Sequence, residues 1–198
     1  MKKILSILFT TLFFALPVKA DFDASKAENF IKKVTSDGIE QIINANVSQA
    51  EKNKRFEKLF NEYLDLDFIG KFVLGRYWNT ATPQQRKEFI EVYRQMNVAT
   101  WSKRFDEFKG KKFMFNGTTP SNSKNQIFVN TSVPMSQGAP AKVIWRVKDT
   151  NGKLKVVDII IENVSLAITA RNEYTAYIKK SKNGVADLIL DLREKVSK

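Results

Sequence analysis

The sequence predicts an α+β fold in which helices precede and follow a four-stranded, twisted antiparallel sheet. Three observations point there. Between residues 24 and 108 the apolar residues recur three and four apart, from 113 to 161 they alternate, and after 165 the helical spacing returns. A run of helices, a run of strands and a second run of helices segregate the two element types along the chain, which is the α+β pattern.

The elements follow in order. Ser25-x-x-Glu28 and Ser48-x-x-Glu51 have the form of capping boxes, in which a hydroxyl and a carboxylate satisfy each other's orphan backbone donors. After the first come Ala27, Phe30, Ile31 and Val34, then Ile39, Ile42 and Ile43, with Gly38 a weak point between them. After the second, Phe56, Leu59, Phe60 and Tyr63 form an apolar stripe. Asp67 is placed to cap a short helix through Leu74, with Gly75 at its C-terminal stop. Thr82-Pro83-Gln84-Gln85 combines a cap, a proline at the first helical position and a glutamine at the third. A long helix is expected from there to about Phe108, burying Phe89, Tyr93, Met96, Trp101, Phe105 and Phe108. Gly110 ends it. Phe113 and Phe115 then alternate with polar or exposed neighbours, as do Ile127 to Val133 and Val143 to Val147. Asp149-Thr150-Asn151-Gly152 is a tight-turn signal before a fourth strand, Leu154 to Glu162. On that strand, alternation places Val157, Ile159 and Ile161 on one face and Val156 and Ile160 on the other, so both faces need cover. Tyr174, Tyr177 and Ile178 mark one tail helix, and Val185 to Val196 the last, separated by Asn183-Gly184.

Residues 1–20 read as an address. Lys2 and Lys3 precede 13 uncharged residues from Ile4 to Leu16, and Pro17-Val18-Lys19-Ala20 completes a cleavable signal peptide. Thirteen residues are too few to span a hydrocarbon core of about 30 Å. The expected mature chain, residues 21–198, is one domain: helical over 21–109, sheet over 111–162 and helical again over 165–197. It is expected to be exported, periplasmic and monomeric. Removing the three lysines of residues 1–20 from a formal +12 leaves +9 over 178 residues. In an exported protein such charge meets anionic membranes or acidic protein faces rather than nucleic acid.

The chain has no Cys and no His. Disulfides, thiol chemistry, the Ser-His-Asp arrangement and the usual zinc sites are thereby excluded. Its eight glycines are isolated, so no phosphate-cradling loop is expected. Among the carboxylates Asp158 stands out, because it interrupts Val156-Val157 and Ile159-Ile160-Ile161. Two roles are open to it: a base acting on a hydrophobic substrate, as in an isomerase, or a partner for Arg146 on the next strand. A basic surface binding acidic or unfolded proteins, as in a chaperone or adaptor, is a third alternative for the molecule.

Two stretches carry a resemblance. Leu74-Gly75-Arg76-Tyr77-Trp78-Asn79-Thr80-Ala81-Thr82-Pro83-Gln84-Gln85-Arg86-Lys87-Glu88-Phe89 is similar to a signature of the MlaC family, also called toluene-tolerance auxiliary proteins. Val157-Asp158-Ile159-Ile160-Ile161-Glu162-Asn163-Val164-Ser165-Leu166, followed by Arg171-Asn172-Glu173-Tyr174, resembles the same family's last strand and following helix. Asn163 replaces the family's glycine there and can adopt the positive φ such a turn needs. Leu154 and Val157 replace its usual aromatic residues, which bears on pocket shape. The resemblance implies an NTF2/cystatin-like sheet and helices around an apolar cavity. It implies a periplasmic phospholipid carrier, without cofactor or enzymatic activity, that maintains outer-membrane lipid asymmetry. The implied partners are phospholipid, an outer-membrane lipoprotein–porin complex and the MCE-domain subunit of an inner-membrane ABC transporter. The residues then expected to meet acyl chains are Phe68, Phe72, Val73, Trp78, Phe89, Tyr93, Met96, Phe115, Val129, Trp145, Ile159, Val164 and Leu166. Arg76 and Arg171 are expected at the mouth, facing phosphate.

Overall fold

Most helix starts in this chain are set by which polar side chain reaches the first free backbone N–H groups. The computed structural model describes residues 22–38, 42, 45–104 and 108–197. Residues 1–20, expected to be a signal peptide, and Ile39, Ile43 and Phe105 lie outside these residues. Among those described, the order is α1 (Ala24–Gly38), α2 (Gln49–Tyr63), α3 (Leu66–Leu74), α4 (Tyr77–Thr80), α5 (Pro83–Arg104), β1 (Met114–Pro120), β2 (Gln126–Val133), β3 (Ala141–Thr150), β4 (Lys153–Ile161), β5 (Val164–Ser165), α6 (Leu166–Lys180) and α7 (Val185–Val196).

The Ser48 and Thr82 caps form as expected. Glu51 N–H donates to Ser48 Oγ at 3.3 Å. Gln85 N–H donates to Thr82 Oγ1 at 3.1 Å, while Thr82 N–H donates to Gln85 Oε1 at 2.9 Å. Two other caps fall elsewhere. Asp23, not Ser25, opens α1: its Oδ1 accepts from the N–H groups of Ser25 and Lys26, and the Ser25 hydroxyl itself donates to it. The ionised carboxylate is the stronger acceptor and takes the helix end. Asp65, not Asp67, caps α3 by accepting from Phe68 N–H at 3.1 Å. Its position is fixed from outside the helix, because Asp65 N–H donates to the Val156 carbonyl on β4 at 3.0 Å. Helix α4 was not foreseen, and Phe108 lies beyond α5.

The five strands form one antiparallel meander in the order β1-β2-β3-β4-β5. The added strand is Val164–Ser165, which returns against Ile160 and Ile161. Glu162 and Asn163 make that reversal with φ of 48° and 67°, so the asparagine does what a glycine would. Strand β2 alternates as its sequence suggests, with Ile127, Val129, Thr131 and Val133 buried. Strand β4 departs from simple alternation. Its register with β3 shifts between Arg146 and Val147, pairing Arg146 with Asp158 and Val147 with Val156. Val157 is therefore the extra residue of a β-bulge. Val156, Ile159 and Ile161 share the face that holds Val147, Trp145 and Val143, whereas Asp158 and Ile160 lie on the other.

Among the described residues, three apolar clusters fill the interior. One joins α1 to the sheet through Ala27, Ile31, Ile127, Val129, Val147 and Val156. A second joins α3, α5, α6 and α7 around Val73, Phe89, Leu188 and Leu192. The third packs Phe56, Leu59, Phe60 and Tyr63 of α2 on Ile42 and Val98. Leu64 touches all three, where the chain leaves α2 and bridges to Val156.

Candidate functional site

Two apolar hollows lie where these clusters meet. The larger, about 90 Å³, is walled by α1 (Val34, Thr35, Gly38), by the α2 stripe from Phe56 to Leu64, and by Phe113, Trp145 and Ile159. The smaller, about 40 Å³, has walls from Ile69, Tyr93, Asn97, Trp101, Val156 to Ile159, Leu166 and Ala167. Phe60, Leu64 and Ile159 belong to both, so the two hollows are neighbours.

The polar groups on these walls are bonded within the protein. Thr35 Oγ1 donates to the Ile31 carbonyl at 2.9 Å. Trp145 Nε1 donates to Thr131 Oγ1 at 3.0 Å, and Asn97 Nδ2 to the Tyr93 carbonyl at 2.7 Å. The Tyr63 hydroxyl donates to Asp37 and accepts from Lys33 Nζ, which also bonds Asp37 at 2.6 Å. Burial and this carboxylate push the Tyr63 hydroxyl up to about 12. Burial pushes Asp37 the other way from its partners, yet the bonds from Lys33 and Tyr63 bring its carboxyl below the usual range. Asp158 accepts from the Ser165 hydroxyl at 2.6 Å and from Ala167 N–H at 3.0 Å. Ser165 Oγ accepts in turn from Ile168 N–H, so the pair forms the start of α6. Asp158 thus bonds to this helix end rather than to Arg146, whose guanidinium lies over Phe128. A wall whose polar groups are already satisfied presents an interior that asks a guest for shape and apolar surface only.

Of the residues singled out in the sequence, Tyr93, Trp145, Ile159 and Leu166 line these hollows. Val73 and Phe89 are fully buried in the helical cluster, with Phe72, Trp78 and Met96 packed on it. Val129 and Phe115 belong to the α1–sheet cluster. Phe68 lies beneath the Lys148 ammonium, 4.1 Å from its ring centroid, and Val164 is 55% exposed on β5. The α1 and α2 walls were missed. Their stripe of Phe56, Leu59, Phe60 and Tyr63 was legible, but as ordinary core. Arg76 and Arg171 come together in a separate open groove of about 310 Å³ with Thr175, Ala176 and Lys179. Among the described residues no group of three carboxylates gathers as a metal site.

Likeness to known proteins agrees with this architecture. The "Intermembrane phospholipid transport system binding protein MlaC" of Haemophilus influenzae is 20% identical over 138 residues, covering 68% of this chain and 64% of that protein. The chain thus matches a little under two thirds of that relative's length. A solved structure of the phospholipid-binding protein from Ralstonia solanacearum, in complex with a phospholipid, superposes with a TM-score of 0.76 at 19% identity. It covers 86% of this chain and 97% of that one, and shows the same fold. The family model described as MlaC protein matches residues 32–194, and this chain belongs to the MlaC family.

Proposed function

We propose that the protein is a periplasmic phospholipid carrier that holds acyl chains along the path of the two hollows. It would carry lipid between an outer-membrane lipoprotein–porin complex and the MCE-domain subunit of an inner-membrane ABC transporter. The observation that carries this reading is the wall itself: it is apolar, and its polar groups are bonded inward. The name of the Haemophilus relative and the lipid bound in the Ralstonia structure support it.

Magnitudes define the demand. Two acyl chains hold roughly 30 methylenes at about 0.8 kcal/mol each, so exposing them to water costs on the order of 20 kcal/mol. A carrier must replace most of that burial without exceeding it so far that release stops. A cavity of about 150 Å³ is what a benzene ring needs. Hollows of 90 and 40 Å³ are therefore the closed form, and loading parts α1 and α2 from β3 and β4. The C-terminal end of α2 is the natural pivot. Lys155 Nζ bonds the carbonyls of Asn61 and Glu62, and Lys148 pairs with Asp65 at 3.2 Å.

Native mass spectrometry of protein purified from cells without detergent tests the reading. The expected spectrum shows the chain with one or more phospholipids attached. Bare chains alone would refute the carrier role.

A further inference from the structure

We propose that the groove between the α3–α4 turn and α6 is a binding site for the phosphate group of a lipid headgroup. Its cations are preset and, among the described residues, have no acid opposite them. The Arg171 guanidinium lies over the Phe72 ring, 4.9 Å from its centroid, and against the backbone of Gly75. A Cβ on that glycine would lie only 3.2–3.3 Å from three guanidinium atoms, so the bare backbone there is part of the cradle. Arg76 lies over Tyr77, 5.0 Å from its centroid, and donates to the Tyr77 hydroxyl at 3.0 Å. Thr175, Ala176 and Lys179 complete the wall, and among the described residues no carboxylate lines it.

Arg146 also lies over a ring, that of Phe128, on the sheet, whereas four arginines are engaged by oxygen acceptors. Arg55, Arg94 and Arg193 pair with glutamates, and Arg86 bonds the carbonyls of Trp78 and Asn79. Arg76 and Arg171 are instead oriented by aromatic rings, which leaves the Arg171 N–H groups, and those of Arg76 not given to Tyr77, for an anion from outside. A planar fork held in place is what bidentate recognition of phosphate needs. The position suits a headgroup. Ile69 and Ala167 line the smaller hollow, while Phe72 and Arg171 lie one helical turn further along α3 and α6, which pack together. A lipid with tails in the hollow would reach this groove along that seam. That placement rests on the carrier reading; phosphate binding itself is tested without tails.

The experiment titrates uniformly 15N-labelled protein with sn-glycero-3-phosphocholine, inorganic phosphate, glycerol and hexaglutamate, following backbone amides. The glycerophosphodiester is expected to shift Gly75, Arg76 and Thr175 saturably, and glycerol is expected to leave them still. Arg171→Gln should weaken binding at least about tenfold. Arg76→Gln, at an exposed position, gives the same reading should Arg171→Gln fail to fold. Arg193→Gln should leave it unchanged. Silent amides, or shifts that survive in both groove variants, overturn the proposal. A response to hexaglutamate without one to phosphate also overturns it, in favour of an acidic protein partner. Tighter binding of inorganic phosphate than of the diester overturns the headgroup assignment. Native mass spectra of the same samples keep the two readings apart. The titration uses protein that these spectra show to be stripped of lipid: silent amides there sink the groove alone, and protein that comes from cells bare yet binds the diester sinks the carrier alone.

Discussion

Gly75 holds two constraints at one position. Its φ of 55° and ψ of −127° terminate α3 in a conformation that L side chains avoid, and its missing Cβ makes room for Arg171. Gly75→Ala is expected to destabilise the fold by about 1–3 kcal/mol, read as a lower urea midpoint at unchanged slope. Asp65 is similarly loaded. Its backbone N–H is tied to β4, one carboxylate oxygen caps α3, and the other pairs with Lys148. Leu64, its neighbour, shows why single residues matter at this crossing, since each apolar cluster loses a contact if it is truncated.

At the scale of elements, the polar ties decide which helices stay together. Lys33, Asp37 and Tyr63 bind α1 to α2 beside the larger hollow. Asp37 titrates below its usual value near 3.8, so the folded state holds its proton less tightly than the unfolded chain does. The contribution of this tie is complete above about pH 4 and is lost as pH falls through the lower folded value. Tyr63 behaves oppositely. Raised from 10.0 to about 12, it stabilises the fold fully below pH 10 and loses that contribution as pH rises towards 12. Urea midpoints across pH should therefore fall at both ends, and Asp37→Asn should flatten the acid limb. Beside the smaller hollow, Asp158→Asn should cost about 1–3 kcal/mol by weakening the start of α6. A reaction on a hydrophobic substrate that vanished in a folded Asp158→Asn protein would instead restore the isomerase reading. Much of this was legible in the sequence. Thr82-Pro83-Gln84-Gln85 announced α5 because its chemistry is local, and β2 alternated because one of its faces is buried. The face of β4 was not legible, because no glycine or proline marks its extra residue. Nor was the hollow, since a stripe such as Phe56 to Tyr63 reads alike whether it packs solid or lines a gap.

For the molecule as a whole, tryptophan positions provide a direct readout of cargo. Trp101 and Trp145 line the hollows, while Trp78 lines an outer groove bordered by charged residues such as Arg86 and Glu88. Lipids brominated on the acyl chain should quench the first two. A Trp101→Phe/Trp145→Phe protein, left with Trp78, should lose the quenching while still binding lipid. Persisting quenching would move the acyl chains elsewhere. Ile159→Trp, at the wall common to both hollows, should lower lipid content several-fold in a folded protein. Unchanged content would displace the path.

The extra residue in β4 makes the length of that strand a poor guide to its pairing. Excising Val157 would leave Arg146 opposite Asp158 and Val147 opposite Val156, with every other ladder partner kept. Excising Ile159 instead would turn Ile160 and Ile161 upside down. A one-residue gap between relatives at this point is therefore neutral for topology, and a gap two positions later rewrites the interior.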